Sequence, residues 1–365
     1  MASLSSLLCA VLFIHSTVSC YAAGPNHKKK HLALFVFGDS LFDPGNNQYL
    51  SRSIREPSTK WPYGETYFKH PTGRFSDGRL VPDFIAQFAN LPILPPYLQN
   101  GDHQFTNGAN FASAGAGVLA HTNPKVINLP TQLSYFKAVV KSLKNELGDK
   151  KAKVLSNAVY LFSMGGNDYI GLHYQNPNVT QSYQTQYVKM VIGNLTNTLK
   201  EVYILGGRKI AFQNAGPLGC TPNDRARNAQ PGGGCAEVVS AMARQHNRAL
   251  SVALKKLEST LPGFKYSTFN YYNALLGRVN KPSKYEFKEG KVACCGNGAY
   301  RASGCGGGFS GKEKFEVCSN PAEYVWFDGA HTTERANRQL AELMWNGPPT
   351  ITGPYNVKQL FGCTI

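Results

Sequence analysis

A serine, an aspartate and a histidine far apart in the chain have the side chains that acyl-transfer chemistry requires. Ser40 follows the apolar run 32–37, and Asp328 stands three residues before His331. A serine hydroxyl is a weak nucleophile until a base accepts its proton, and that base needs an orienting partner. The sequence therefore predicts Ser40 as nucleophile, His331 as base and Asp328 as orienting acid. The alternative interpretation is a plain turn after a strand, with Asp39 and Ser40 as turn formers.

Two further small, polar clusters follow apolar segments, at residues 113–115 and 165–168. The carboxyl ends of parallel strands meet at one edge of a sheet, where α/β folds place their chemistry. We therefore expect the backbone N–H groups of Ser40 and Gly115 and the side-chain amide of Asn167 to form an oxyanion hole. The alternatives are that Gly115 permits tight packing and that Asn167 belongs to a turn.

Apolar strand patterns alternate with helical patterns along the body of the chain. The predicted strands are residues 32–37, 108–112, 158–163, 209–214 and 264–269. The predicted helices are residues 79–88, 131–147, 183–205, 237–261 and 334–345. Strands separated by helices of this length indicate a parallel sheet that is covered on both faces.

The N-terminal residues have the character of a secretory signal. Residues 2–23 carry no charged side chain, and an apolar run at 7–14 precedes small residues. We predict a signal peptide over 1–22 and one domain over 23–365, secreted to the extracellular space or apoplast. No later segment is long and apolar enough to predict a membrane span. The sequons at Asn178 and Asn194 fit secretion as glycosylation sites.

The chain is basic, with 38 Lys and Arg against 22 Asp and Glu and a net charge of +16. Nucleic-acid binding is one interpretation of such a charge, but no recognition motif accompanies it, so we predict no nucleic-acid partner. A weak association with acidic wall material is the milder expectation.

The nine cysteines favour disulfides over a metal site. Removal of Cys9 and Cys20 with the signal leaves seven, and secretion favours their oxidation. We predict a bridge between Cys220 and Cys235, and Cys363 as the unpaired thiol. Two more bridges with open pairing are expected among Cys294, Cys295, Cys305 and Cys318. The chain has no C-x-x-C pair, so we predict no metal.

The candidate residues lie in a series of motifs that runs across most of the chain. The motifs are 37–47 (FGDSLFDPGNN), 73–79 (GRFSDGR), 108–113 (GANFAS), 165–169 (GGNDY), 216–220 (GPLGC) and 328–331 (DGAH). In this order they resemble the plant GDSL esterase/lipase family, a branch of the SGNH hydrolases. The resemblance implies a three-layer α/β/α sandwich of the flavodoxin-like type, with a mainly five-stranded parallel sheet. It also implies the triad and oxyanion residues given above and no cofactor.

The C-terminal part is similar to the secreted GLIP subgroup of that family. The matching segments are 287–291 (FKEGK), 294–296 (CCG), 336–339 (ANRQ) and 353–356 (GPYN). The resemblance implies an acyl-serine intermediate formed from an acyl ester or thioester. Either water then hydrolyses it, or an alcohol accepts the acyl group, as in pyrethrin ester formation from a CoA thioester in plant specialised metabolism. The alternative is a non-catalytic secreted binding or defence-signalling protein.

The polar segment 46–72 is the predicted rim of the substrate pocket. Trp61, Tyr63, Tyr67 and Phe68 would offer apolar surface to an acyl chain. The alternative is that these aromatic side chains only pack the segment onto the domain.

Overall fold

The fold is known here from a computed structural model that describes residues 32–50, 56–101, 104–228 and 233–362. The predicted signal peptide over 1–22 and Cys363 lie outside the described residues.

A six-stranded sheet forms the centre of the fold, with the strand order β2-β1-β3-β4-β5-β8. Five strands are parallel: β1 (Leu34–Gly38), β2 (Gly108–Asn110), β3 (Val159–Ser163), β4 (Lys209–Gln213) and β5 (Lys265–Phe269). The other strands are β6 (Cys295–Gly296) and β7 (Glu316–Val317), which pair separately, and β8 (Thr352–Pro354), which joins β5 antiparallel. The three-layer α/β class predicted from the sequence is confirmed.

Ten α-helices are found in the described part of the chain. They are α1 (Val81–Phe88), α2 (Leu129–Leu147), α3 (Lys151–Asn157), α4 (Gly166–Gln175), α5 (Gln181–Ile204), α6 (Pro222–Arg227), α7 (Glu237–Thr260), α8 (Tyr271–Asn280), α9 (Glu334–Asn346) and α10 (Val357–Gly362). Within the described ranges, none of these helices combines the length and apolarity that a membrane crossing requires.

Alternating side chains of the buried strands separate two hydrophobic cores. On one face Phe35 and Phe37 pack with apolar residues of α2, α5 and α7, and the Phe37 ring stacks on Phe162 at 4.6 Å. On the other face Leu34 and Val36 pack with α1, α8, α9 and α10. Because successive strand residues point to opposite faces, one fully apolar strand serves both layers.

The sequence did not predict the edge strand β8 or the helix α4. β8 is three residues long and contains Gly353 and Pro354, which favour a loop interpretation; proline is tolerated because β8 is an edge strand. The alternative prediction for Asn167 is a turn, but Asn167 and Asp168 lie in the first turn of α4. Gly165 precedes this helix with a φ of 113°, a left-handed conformation that glycine adopts without strain.

Candidate active site

Ser40, His331 and Asp328 lie in one hydrogen-bonded chain at the carboxyl edge of the sheet. The Ser40 Oγ lies 2.8 Å from Nε2 of His331. The opposite ring nitrogen, Nδ1, lies 2.7 Å from Oδ1 and 2.9 Å from Oδ2 of Asp328. In this geometry a neutral His331 can accept the Ser40 proton at Nε2 while Asp328 holds the proton on Nδ1.

The Asp328 carboxylate is almost completely buried, with 6% of its surface exposed, and it accepts several hydrogen bonds. The backbone N–H groups of Ala330 and His331 donate to Oδ1, each at 2.9 Å, and the Tyr63 hydroxyl donates to Oδ2 at 2.8 Å. Burial by itself raises the pKa of Asp328, but the charge of His331 and these hydrogen bonds outweigh it and the pKa is lowered. Asp328 is therefore held as the carboxylate that the His331 ring needs.

A glutamine on α2 holds the strand end that presents Ser40. Gln132 donates through Nε2 to the Gly38 carbonyl at 2.8 Å and accepts from the Gly38 N–H at 3.0 Å. The last residue of β2, Asn110, pairs with Val36, and beyond the strand the Ser113 N–H still donates to the Gly38 carbonyl at 3.1 Å. Gln132 thus accepts the Gly38 N–H and adds a second donor to the Gly38 carbonyl, two residues before the nucleophile.

Ser40 itself lies on a tight turn whose first residue is Asp39. The N–H groups of Phe42 and Asp43 both donate to the Asp39 carbonyl at 3.0 Å, and Leu41 N–H donates to the Asp39 side chain at 3.0 Å. Burial raises the pKa of Asp39 to about 7, against the opposing effects of the Leu41 hydrogen bond and the His331 charge. The turn leaves Ser40 half-buried at the edge of a cavity.

The three predicted oxyanion donors line the same cavity. Neither the Ser40 N–H nor the Gly115 N–H has a hydrogen-bond acceptor among the described residues. Gly115 has a φ of 79°, which favours glycine because other residues are strained there. The Asn167 side chain also lines the cavity, and its Nδ2 donates to the Ala116 carbonyl at 2.9 Å. A primary amide carries two N–H donors, so this contact leaves one for a ligand.

Two buried carboxylates hold the loop that carries Gly115. Asp43 accepts the Ala114 N–H at 2.8 Å on one side of the glycine. On the other side Asp168 accepts the N–H groups of Val118 at 2.9 Å and Leu119 at 3.0 Å. Burial raises the pKa of Asp43 to about 7 and also raises that of Asp168, while these backbone hydrogen bonds oppose the rise. The conformation of this loop therefore depends on two sequence motifs, 37–47 with Asp43 and 165–169 with Asp168.

The described residues contain three disulfides, and two of them lie behind Asp328. Cys220 pairs with Cys235, as predicted, and the open pairing resolves as Cys294–Cys318 and Cys295–Cys305. The N–H groups of Cys294 and Cys295 donate to the carbonyls of Trp326 and Phe327, the residues directly before Asp328. These two bridges and Phe327 share a small hydrophobic cluster with Tyr63 and Phe75.

Removing the Cys295–Cys305 bridge by a double change to serine is expected to lower both stability and activity. The chain-entropy estimate is a loss of about 3 kcal/mol in the free energy of unfolding. The kcat should fall as well, because Cys295 anchors the backbone next to Asp328. Denaturant unfolding and ester turnover, measured where every variant is folded, check both effects.

The matched control is the same double change at Cys220 and Cys235. These cysteines close a loop with a sequence separation of 15, against 10 for Cys295 and Cys305. We expect a similar loss of stability and a smaller change in kcat. An unchanged kcat in folded protein lacking the Cys295–Cys305 bridge would contradict the anchoring role.

The cavity beside Ser40 has a volume of about 620 Å³, within the range of small-molecule sites. Apolar side chains on its wall include Leu41, Phe75, Val126, Met164, Ile170, Leu218 and Phe309. Phe309 is 72% exposed and lies in a glycine-rich turn at the edge of the cavity. In the described ranges, no group of three or more His, Cys, Asp or Glu side chains is arranged to hold a metal ion.

The aromatic residues of the segment 46–72 do not line this cavity, so the predicted acyl-binding role for them is wrong. The Trp61 side chain is exposed and contacts Phe315, and Tyr67 packs under the Arg79 guanidinium. Phe68 packs under Arg74 in the same way. These rings pack against cationic and aromatic side chains of the domain, as the alternative interpretation predicts. Among the described residues of the segment 46–72, Glu56 lines the cavity.

Two residues with clear structural roles at the site were missed by the sequence interpretation. The sequence predicts Tyr63 on the pocket rim, yet it is buried and its hydroxyl donates to Asp328, 265 positions away. Gln132 lies in the predicted helix 131–147, where its type and spacing indicate no role at the site. Neither contact has a local sequence signal, because the partners meet only when the layers pack.

The site as a whole has the design of serine-dependent acyl-transfer enzymes: a serine–histidine–aspartate chain beside unpaired N–H donors at the end of a parallel sheet. A family model described as GDSL-like Lipase/Acylhydrolase matches residues 34–344. The chain therefore belongs to this family, and it is an enzyme of the GDSL serine esterase/lipase type.

Several curated relatives are similar over nearly the full chain. GDSL esterase/lipase 1 of Arabidopsis thaliana is 50% identical over 335 residues, covering 90% of each chain. A GDSL lipase of Tanacetum cinerariifolium is 46% identical over 359 residues, covering 97% of this chain and 93% of the relative. A third, named as an inactive GDSL esterase/lipase-like protein 25 of Arabidopsis thaliana, is 39% identical and covers 90% of this chain and 74% of its own length.

Proposed function

We propose that the protein transfers acyl groups from carboxylic esters through an acyl-Ser40 intermediate, with His331 as general base and acid and Asp328 as the orienting carboxylate. The observation that carries this proposal is the unbroken contact chain from the Ser40 Oγ through both ring nitrogens of His331 to Asp328, beside a cavity of about 620 Å³. The family membership supports ester chemistry at this site.

The reaction consists of two balanced acyl transfers. Ser40 Oγ attacks the ester carbonyl while its proton passes to Nε2 of His331. The carbon–oxygen bond to the alcohol then breaks, the alcohol leaves with that proton, and the acyl group is bonded to Oγ. In the second transfer His331 takes a proton from water, the oxygen of water attacks the acyl carbon, and the Oγ–acyl bond breaks. The products are a carboxylic acid and Ser40 with its proton restored.

The oxyanion of each tetrahedral intermediate is assigned in this proposal to three donors. These are the backbone N–H groups of Ser40 and Gly115 and the Asn167 side chain. Because the donors are held in place before the reaction, they stabilise developing charge without reorganisation. Asp43 and Asp168 support this role by holding the backbone on both sides of Gly115.

Asn167→Ala is expected to lower kcat by roughly 10²- to 10³-fold with little change in KM, because the donor acts mainly on charge that develops in the transition state. Steady-state kinetics on a short acyl ester measures both constants. Asn123→Ala is the matched control, since Asn123 lines the same cavity without an assigned oxyanion role. A large rise in KM at unchanged kcat would instead assign Asn167 to binding the ester ground state.

Whether water or an alcohol accepts the acyl group is decided by product analysis. Purified protein is given an acyl ester or a CoA thioester with and without candidate alcohols, and the products are identified. Free acid in every mixture supports a hydrolase. A new ester that forms only with an alcohol, and only when Ser40 is intact, supports an acyltransferase of the pyrethrin-forming kind, in which a positioned acceptor outcompetes water.

A non-catalytic role is the competing function, and one relative is named as inactive. A fluorophosphonate probe separates the two functions because it labels only an activated serine. Labelling of wild-type protein that is lost in Ser40→Ala supports the enzyme, while an unlabelled wild type would support the binding function.

We further propose that the protein is secreted after cleavage near residue 22 and is glycosylated. The three disulfides found among the described residues support an oxidising compartment. Asn178 lies exposed in the loop between α4 and α5, while Asn194 lies exposed within α5. The net charge of +16 supports a weak association with acidic wall material. N-terminal sequencing, glycopeptide mapping and salt elution from wall material test these proposals.

A further inference from the structure

One face of α4 extends the cavity away from Ser40. Gly166, Asn167, Ile170 and Tyr174 all line the cavity, and positions 166, 170 and 174 follow one another at helical spacing. At a rise of 1.5 Å per residue, the helix carries this wall about 12 Å from Gly166 to Tyr174. Ile170 makes the middle of the wall apolar. A substrate bound at the oxyanion donors can therefore place an apolar chain along α4.

The far end of this wall is polar. The Tyr174 hydroxyl donates to Oδ1 of Asp224, and Thr221 Oγ1 donates to Oδ2 at 2.6 Å. Both oxygens of the buried Asp224 carboxylate are thus occupied by hydroxyl donors. The Arg227 guanidinium lies over the Tyr174 ring at 4.3 Å, and Tyr174, Asp224 and Arg227 all line the cavity.

Arg227 differs from its neighbour Arg225 in how its donors are used. Arg225 is buried, and it donates to the Cys220 carbonyl at 3.0 Å and to the Gly233 carbonyl. Arg227 is exposed at the cavity, where it forms a side-chain hydrogen bond with Tyr174. No acidic side chain of the described residues forms an ion pair with it, so its other N–H donors face the cavity without a charged partner. Its planar fork of N–H donors matches the two oxygens of a carboxylate.

We infer that Arg227 and Tyr174 form a binding site for a carboxylate at the far end of the acyl group, so that the enzyme favours esters whose apolar acyl chain ends in an acid. This inference rests on the proposed acyl-transfer function and names its substrate class. Tyr174 holds the guanidinium by cation–π stacking, and Ile170 contacts the chain between the reacting carbonyl and the carboxylate.

The test compares pairs of 4-nitrophenyl esters whose acyl chains have equal length. In each pair, one ester carries the acyl group of a simple alkanoic acid, and the other is the monoester of the corresponding dicarboxylic acid. The quantity measured is the ratio of kcat/KM for the acidic ester to that for the neutral ester, across increasing chain lengths. We expect Arg227→Met to lower this ratio by about 10- to 100-fold, as for loss of a charged hydrogen bond. Arg227→Lys, which keeps the charge but not the fork, should retain part of the preference.

Lys125 provides the matched comparison, because it is the other cationic side chain on the cavity wall among the described residues. Lys125→Met should leave the ratio within about twofold of wild type. A ratio unchanged in Arg227→Met, or lowered as strongly by Lys125→Met, would overturn the assignment.

A second measurement separates this inference from the proposed function. Binding of the free dicarboxylic acid to Ser40→Ala protein, by calorimetry, does not require turnover. We expect the dissociation constant to rise about 10-fold or more when Arg227→Met is added. Absence of ester turnover in wild-type protein would refute the proposed function alone, whereas equal binding with and without Arg227 would refute the carboxylate site.

Discussion

Ser40→Ala is expected to lower kcat on short acyl esters by about 10⁶-fold, the size seen when the nucleophile of such a triad is removed. No other described side chain offers a hydroxyl to Nε2 of His331, which lies 2.8 Å from the Ser40 Oγ. Without that oxygen no acyl–enzyme bond can form. The residual rate then comes only from the oxyanion N–H donors and from substrate binding. Steady-state rates and intact-protein mass after incubation with a fluorophosphonate measure the loss.

The control for this change is Ser259→Ala. Ser259 is an exposed serine in the last turn of α7, where its hydroxyl binds the Lys256 carbonyl. We expect full activity in that variant, and unfolding midpoints of both variants close to wild type, since each removes one oxygen atom. Retained turnover in purified Ser40→Ala would remove the serine mechanism altogether.

Asp328→Asn is expected to lower kcat by about 10⁴-fold with a smaller effect on KM. The N–H groups of Ala330 and His331 occupy Oδ1, so an asparagine keeps its carbonyl there and turns its NH₂ towards the imidazole. The NH₂ then takes the Oδ2 position 2.9 Å from Nδ1, beside the carbonyl that stays at 2.7 Å, so one of the two acceptors of the Nδ1 proton becomes a donor. This favours the tautomer with the proton on Nε2, and that nitrogen can then no longer accept the Ser40 proton. The negative charge that stabilises the imidazolium is lost as well. A pH–rate profile and the two kinetic constants check this result.

Tyr63→Phe is the companion change to Asp328→Asn. It removes the hydroxyl that donates to Oδ2 at 2.8 Å but keeps the ring, which packs against Phe75 and Phe327. The carboxylate and its contact with His331 remain, so we expect a far smaller loss of kcat than in Asp328→Asn. Equal losses in the two variants would mean that Tyr63, rather than the Asp328 charge, controls the state of His331.

Local sequence patterns were sufficient to predict the regular strands and helices. The five parallel strands and the long helices were predicted within a few residues, because continuous apolar runs and regular helical spacing depend on nearby positions. Short elements were missed: α4 begins at a glycine pair, and β8 has three residues. Such elements form because neighbouring layers of the fold hold their ends in place. Their own residues therefore show little of the apolar periodicity from which a strand or helix is predicted.

The residues of the cavity wall were also not predictable from local sequence. Trp61 and Tyr67 were predicted to contact substrate, since an aromatic residue near an active-site motif has apolar surface to offer. The structure places these rings against Phe315 and Arg79, while the wall is built by residues such as Ile170 and Phe309. Which apolar side chain faces a cavity depends on loop paths that no local pattern encodes.

The sequence by itself determined the class of fold, the candidate triad residues and the Cys220–Cys235 bridge, because each rests on residue type, order and short spacing. The tertiary structure decided that Ser40 and His331, 291 positions apart, lie within hydrogen-bond distance. It also decided the pairing of the remaining cysteines and the contact of Tyr63 with Asp328. These features depend on how β1, the 46–72 segment and the residues before α9 pack together. The packing energy that brings them together is summed over two whole cores, so it cannot be read from the few residues that meet.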